Sequence, residues 1–113
     1  MIKLYGIPNW QQIRKTRAVL NDNNIEYDFI NVKKTPVSED FLRDVVHQLG
    51  MDVVLNSKGA TYRKLGLKKM DLKEEELLQW LVKEQGMIKR PLIEHKGRFR
   101  IGFDEAGILG FLK

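Results

Sequence analysis

A strand-like run, Ile2-Lys-Leu-Tyr-Gly6, passes through the turn Ile7-Pro-Asn9 into a helix-like run from Trp10 to Leu20. The start of such a helix presents unpaired backbone N–H groups and the positive end of the helix dipole. A cysteine placed there would have its pKa depressed and become a nucleophile. The residue found there is Trp10, and the chain contains no cysteine. Arg14 and Lys15 follow in the first turns of the helix. Cations near a helix N-terminus oppose the dipole by about a few tenths of a kcal/mol. That misfit suits an anion held at the helix start, although a solvated helix face accounts for the same residues. Trp10 also has two readings. It is either a bulky plug in a disused pocket or an aromatic platform for a partner, since tryptophan recurs at binding hot spots.

Composition removes several chemistries. Without cysteine there is no disulfide framework, no thiolate metal site and no redox-active thiol. The two histidines, His47 and His95, lie far apart in sequence and supply too few ligands for zinc or iron, so no metal is expected. No pair of carboxylates stands out for acid–base work, and Glu74-Glu-Glu76 reads as a cluster favourable to a helix start. There is no phosphate-cradling glycine loop and no Ser/His/Asp set. The formal net charge of +5 favours anionic contacts without establishing them. Lys and Arg run from Lys3 to Lys113 among acids, so direct nucleic-acid binding is not expected. No apolar run reaches the roughly 20 residues a membrane span needs, and the first residues lack a signal-peptide layout. A cytoplasmic location without membrane association is the expectation.

The 113 residues suit a single domain, 1–113. Residues 2–5 read as a buried strand. Asn9 is the expected cap of the first helix, with Gln12 completing a capping box, and Ile13, Thr16 and Leu20 form its buried stripe. Tyr27 to Val32 reads as a second strand. Ser38 caps a second helix with Phe41, Leu42, Val45, Val46 and Leu49 inward, and Gly50 stops it. Met51 to Leu67 reads as short helical turns joined at Gly59 and Gly66. Asp71 and Glu74 suggest another capping box ahead of a helix lined by Leu77, Leu78, Leu81 and Val82 and ending at Gly86; Trp80 on that helix reads as core or near-core. Pro91 precedes a strand at Leu92–His95. Lys96-Gly97 turns the chain, and Arg98 to Gly102 returns it. Asp104 caps a last helix carrying Ile108, Leu109 and Leu112. The order is β-α-β, a helical insert at about 38–86, then β-β-α. This is an α/β, thioredoxin-like fold with a mixed four-stranded sheet, because a β-α-β start is parallel and a hairpin is antiparallel.

Leu4-Tyr-Gly-Ile-Pro-Asn9, Arg14-Lys15, Leu55-Asn-Ser-Lys-Gly-Ala-Thr-Tyr-Arg-Lys-Leu65, Ile88-Lys-Arg-Pro-Leu92 and Ile101-Gly-Phe-Asp104 together resemble one family. The chain looks like a member of the arsenate reductase (ArsC)/Spx family, most of all its small YffB-like branch, from about Met1 to Lys113. The resemblance implies a thioredoxin fold with a helical insert and a nucleophilic cysteine directly after the Pro-Asn turn, at the position of Trp10. In arsenate reductases that cysteine attacks arsenate, and glutathione or a thiol protein completes the reduction. Spx proteins carry a two-cysteine switch beginning at the same position and bind the C-terminal domain of the RNA polymerase α subunit. Here Trp10 replaces the nucleophile and Ile13 stands at the second cysteine. An indole neither attacks arsenate nor forms a mixed disulfide. Gly102 falls where arsenate reductases have a third anion-binding arginine.

The resemblance implies further roles. Pro91 matches the cis-proline that faces the active site in thioredoxin-like folds, and Arg90 beside it is expected to point toward the pocket at Trp10. There it either holds an oxyanion or covers a surface. Lys58 matches a position that is usually arginine in Spx and YffB relatives, near the cysteine; otherwise it is a solvated loop residue. Gly50 matches the glycine through which Spx approaches the polymerase, or is only a helix stop. Two functions follow. One is a non-catalytic binding or regulatory protein using Trp10 and Gly50 toward a partner such as the RNA polymerase α subunit. The other is a glutathione-linked reductase or transferase, or an arsenate reductase-like enzyme, with Arg14, Lys58, Arg90 and Pro91 around glutathione or an oxyanion. No cofactor is expected apart from that glutathione.

Overall fold

The computed structural model describes all 113 residues, Met1–Lys113. The chain forms two compact units, one of Met1–Thr35 with Arg90–Lys113 and the other of Pro36–Lys89. No helix is long and apolar enough to cross a membrane.

The first unit holds the sheet. Strand β1 (Ile2–Gly6) leads to helix α1 (Gln11–Asp22) and then β2 (Tyr27–Asn31). Strands β3 (Leu92–His95) and β4 (Arg98–Ile101) form a hairpin, and a helix at Glu105–Phe111 follows. The sheet order is β2-β1-β3-β4. β1 and β2 are parallel, whereas β1–β3 and β3–β4 are antiparallel, so the sheet is mixed as the element order requires. Lys96 and Gly97 both take positive φ, 54° and 75°, which matches the twist of a two-residue hairpin turn.

The core of this unit is built from Leu4, Ile13, Leu20, Ile93 and Ile108, all fully buried. The α1 stripe is Ile13, Thr16, Val19 and Leu20. Thr16 is tolerated inside because its hydroxyl donates to the Gln12 carbonyl at 2.7 Å. Gly6 matters for a different reason. A Cβ there would overlap the end of the Ile13 side chain, which packs into the space that the glycine leaves.

The second unit is helical: α2 (Glu39–Leu49), α3 (Met51–Val54), α4 (Ala60–Leu65), a 3-10 turn (Leu67–Met70), α5 (Glu74–Lys83) and a second 3-10 turn (Gln85–Met87). The helix at Glu105–Phe111 is therefore α6. Ser38 Oγ caps α2 by accepting from Phe41 N at 3.1 Å, and Gly50 ends it with φ 91°. α2 buries Leu42, Val45 and Val46, and α5 buries Leu78 and Leu81. Buried Gln85 has its amide satisfied: Oε1 accepts from Val37 N at 2.9 Å, and Nε2 donates to the carbonyls of Val37 at 2.8 Å and Val82 at 3.2 Å. Arg43 joins α2 to α5 through Glu75 at 2.8 Å and also holds Glu39 at 2.9 Å.

Some local expectations give way. α5 begins after Lys73, not at an Asp71 cap. The Glu76 carboxylate accepts from Lys73 N at 3.1 Å, and a lysine ammonium, having no lone pair, returns nothing. Asp71 instead takes a left-handed φ of 49° that closes the 3-10 turn. α5 ends at Lys83, before Gly86. Trp80 is half-buried, with the Lys83 ammonium 5.3 Å from its ring.

Two outcomes are expected. Gly6→Ala destabilises the fold by about 1–3 kcal/mol through overpacking, and trimming Ile13→Val in the same chain recovers part of that loss. Urea denaturation of the single and double variants checks the coupling. The Glu75 carboxyl, hydrogen-bonded by Arg43 and then Gln79, is held down at about 2 from an ordinary 4.5. A group whose pKa is depressed by folding stabilises the fold above its unfolded pKa, and that contribution fades as pH falls toward the folded value. Side-chain NMR should place the Glu75 titration near the lower value and return it to the ordinary carboxylate range in Arg43→Ala.

Candidate functional site at the start of the first helix

The turn Ile7–Trp10 is closed by Trp10 N donating to the Ile7 carbonyl at 3.1 Å. Trp10 is the N-cap of α1, extended at φ −74° and ψ 136°, and no side chain caps the helix. Asn9 therefore does not form the expected capping box. Its carbonyl instead accepts from Arg14 Nη2 at 2.8 Å. The Trp10 carbonyl accepts from both Ile13 N and Arg14 N, at 3.1 and 3.0 Å. The amides of Gln11 and Gln12 find no acceptor within the protein, so the helix start keeps two free donors and its dipole charge.

The Trp10 side chain is half-buried and packs against the Leu4–Ile13–Leu20–Ile93–Ile108 cluster. Arg90 lies on it, with Cζ 3.6 Å from the ring centroid. That distance is face-on stacking of a planar cation on an electron-rich ring. Burial pushes the Arg90 guanidinium pKa down from its ordinary value, yet arginine stays charged. No carboxylate lies within ion-pair distance of Arg90. A guanidinium stacked this way keeps its N–H edge for acceptors. The Arg90–Pro91 bond is cis, and the Pro91 carbonyl accepts from Gly102 N at 3.1 Å. Gly102 itself takes φ 103°, where any side chain is strained.

Trp10, Arg90 and Pro91 are thus brought together. Arg14 starts beside them, with one Nη2 hydrogen bond to the Asn9 carbonyl. Lys15 leans toward Phe103, 5.8 Å from the ring centroid. Lys58 belongs to the Pro36–Lys89 unit, where it is exposed and lines a cleft with Ser57 and Tyr62. Gly50 also belongs to that unit. It sits between α2 and α3 with φ 91° and ψ 146°, a conformation that explains glycine there by itself. His47 is exposed and His95 half-buried, its ring 6.3 Å from Phe111. No cluster of His, Cys, Asp and Glu is placed to hold a metal ion.

Sequence reasoning missed the stack itself and the Arg14–Asn9 bond. It also missed Arg100, whose Nε is buried without a partner and whose Nη2 is 3.9 Å from Asp104. Residue type gives no signal for any of them, because each depends on rotamers. A double-mutant cycle of Trp10→Leu and Arg90→Gln, followed by urea denaturation, is expected to give a coupling of about 0.5–2 kcal/mol. Indole emission should change in Arg90→Gln alone.

The ArsC family profile matches residues 5–111. A global transcriptional regulator Spx of Listeria innocua is 29% identical over 114 residues, covering 99% of this chain and 87% of that protein. An uncharacterized protein of Haemophilus influenzae is 34% identical over 106 residues, covering 93% of each. The solved YFFB protein superposes with a TM-score of 0.93 at 32% identity, covering all of both chains. An arsenate reductase-related protein of Brucella melitensis gives a TM-score of 0.79 at 27% identity, over 99% of this chain and 94% of that one. These solved relatives share the thioredoxin-like arrangement described above. The chain belongs to the ArsC family, and it does so without a single cysteine.

Proposed function

We propose that this protein works by binding and has no thiol chemistry, with the Trp10–Arg90 surface as its contact site. The observation that carries the reading is the stack itself. The helix start that would activate a cysteine holds an indole covered at 3.6 Å by a guanidinium. Neither group is a nucleophile, and both are residue types that dominate binding hot spots. The partner we infer is a protein of the transcription machinery such as the RNA polymerase α subunit, approached through Trp10. In support, relatives described as global transcriptional regulators match nearly the whole chain.

A second reading has a specific observation behind it. Arg90 has no carboxylate partner, and the Gln11 and Gln12 amides are unpaired. An oxyanion or the carboxylates of glutathione would satisfy both. In that case glutathione would supply the only sulfur.

The purified protein should reduce neither arsenate nor a disulfide above the uncatalysed background when glutathione is present. Turnover at the rate of a cysteine-bearing relative would sink the binding reading. The immobilised protein should retain the C-terminal domain of the polymerase α chain, and Trp10→Ala should release it. The second reading requires saturable quenching of Trp10 by glutathione or sulfate in a Trp80→Phe background, abolished in Arg90→Ala.

A further inference from the structure

The excess positive charge is not spread evenly. Lys58, Arg63, Lys64, Lys68 and Lys69 fall in a stretch from Val53 to Met70 that contains no acid, and outside it the charges balance, so this stretch carries the whole net charge of +5. The fold concentrates it further. α4 ends at Gly66, whose left-handed φ of 67° reverses the chain into the 3-10 turn. That reversal places Arg63, Lys68 and Lys69 around one cleft with Lys58, Ser57 and Tyr62. None of these four cations is within ion-pair distance of a carboxylate. Like charges gathered without counter-ions repel one another, and an anion relieves that repulsion.

The shape of the cleft narrows the choice of anion. Its volume of about 420 Å³ is that of a small-molecule site. The walls are more carbon than heteroatom, and one wall is the half-buried ring of Tyr62, whose hydroxyl makes no intramolecular hydrogen bond. A bare inorganic ion would use the ammonium groups and leave the ring idle. A duplex needs a row of cations along an exposed face to track its phosphates, whereas these surround a hollow. A ligand with a flat aromatic group and several adjacent negative charges uses every feature. We infer that this cleft binds a nucleoside di- or triphosphate. The base stacks on Tyr62, and the phosphates lie among Lys58, Arg63, Lys68 and Lys69, with the Ser57 hydroxyl as a further donor. The site lies within the Pro36–Lys89 unit and requires neither Trp10 nor Arg90.

The test titrates the full-length protein with ADP, pyrophosphate and a short single-stranded oligonucleotide at low ionic strength, by calorimetry and amide NMR shifts. ADP should saturate at millimolar concentration or below and shift amides between Ser57 and Lys69. The double variant Lys68→Glu/Lys69→Glu should weaken ADP by at least about tenfold. Tyr62→Ala should weaken ADP but leave pyrophosphate unchanged. These are surface or half-buried positions, and an unchanged thermal midpoint confirms that the variants fold. Four results overturn the inference: no saturation by ADP, shifts that map elsewhere, pyrophosphate binding as tightly as ADP, or oligonucleotide affinity that rises with length and exceeds that of ADP.

Discussion

The contact between Gly6 and Ile13 sets the geometry on which the candidate site depends. β1 is an interior strand, hydrogen-bonded to β2 on one side and β3 on the other. Its last residue has no Cβ, and Ile13 fills the space a Cβ would take. That contact, with the burial of Thr16, Val19 and Leu20 on the same stripe, seats α1 against the sheet. Trp10 is the residue whose carbonyl accepts from the Ile13 and Arg14 amides, the first in α1 to be bonded, so it sits at the helix start. The other half of the site arrives through the same sheet. Leu4 pairs with Ile93, which places β3, and the two residues before β3 are Arg90 and Pro91. The site is therefore positioned by the core, with no help from a side-chain cap of its own.

The five cation–ring contacts outnumber the ion pairs. Arg90 lies on Trp10, Arg17 on Phe29, Lys15 on Phe103 and Arg98 on Phe111 within the sheet unit, and Lys83 lies on Trp80. The sheet unit's one ion pair, Arg100–Asp104, is long at 3.9 Å. A carboxylate satisfies the N–H edge of a guanidinium, while a ring satisfies its face and leaves the edge free. Arg43 shows the opposite arrangement. Its two carboxylates take both Nη atoms, and Glu75 ties α5 to α2. Arg43 and Arg90 are thus the same residue type in a structural and a receptive setting.

The order of elements was legible because hydrophobic period and punctuation agreed. Ile13, Thr16 and Leu20 mark a helical face, Ser38, Gly50 and Asp104 mark ends, and Lys96-Gly97 marks a turn, and all of these appear in the structure. Capping was less legible. Asn9 and Asp71 are good capping residues in isolation, but the seating of Ile13 and the left-handed turn at Asp71 each shift the helix start onto a residue with no capping side chain. In the site, the cis bond and the approach of Arg90 to Trp10 followed from the family resemblance. The face-on stack did not, since whether an arginine covers a ring or leaves it open depends on packing that no local pattern encodes. The acid-free run of cations from Lys58 to Lys69 was present in the sequence, but that four of them line one cleft appears only once Gly66 reverses the chain.

A thiol at the start of α1 would give the protein two covalent states, free and oxidised, and hence a record of its surroundings. An indole under a guanidinium has one. With no thiol beside it, the surface of Trp10 and Arg90 has no disulfide state to switch between. In this chain the position at the start of α1 has a single covalent state.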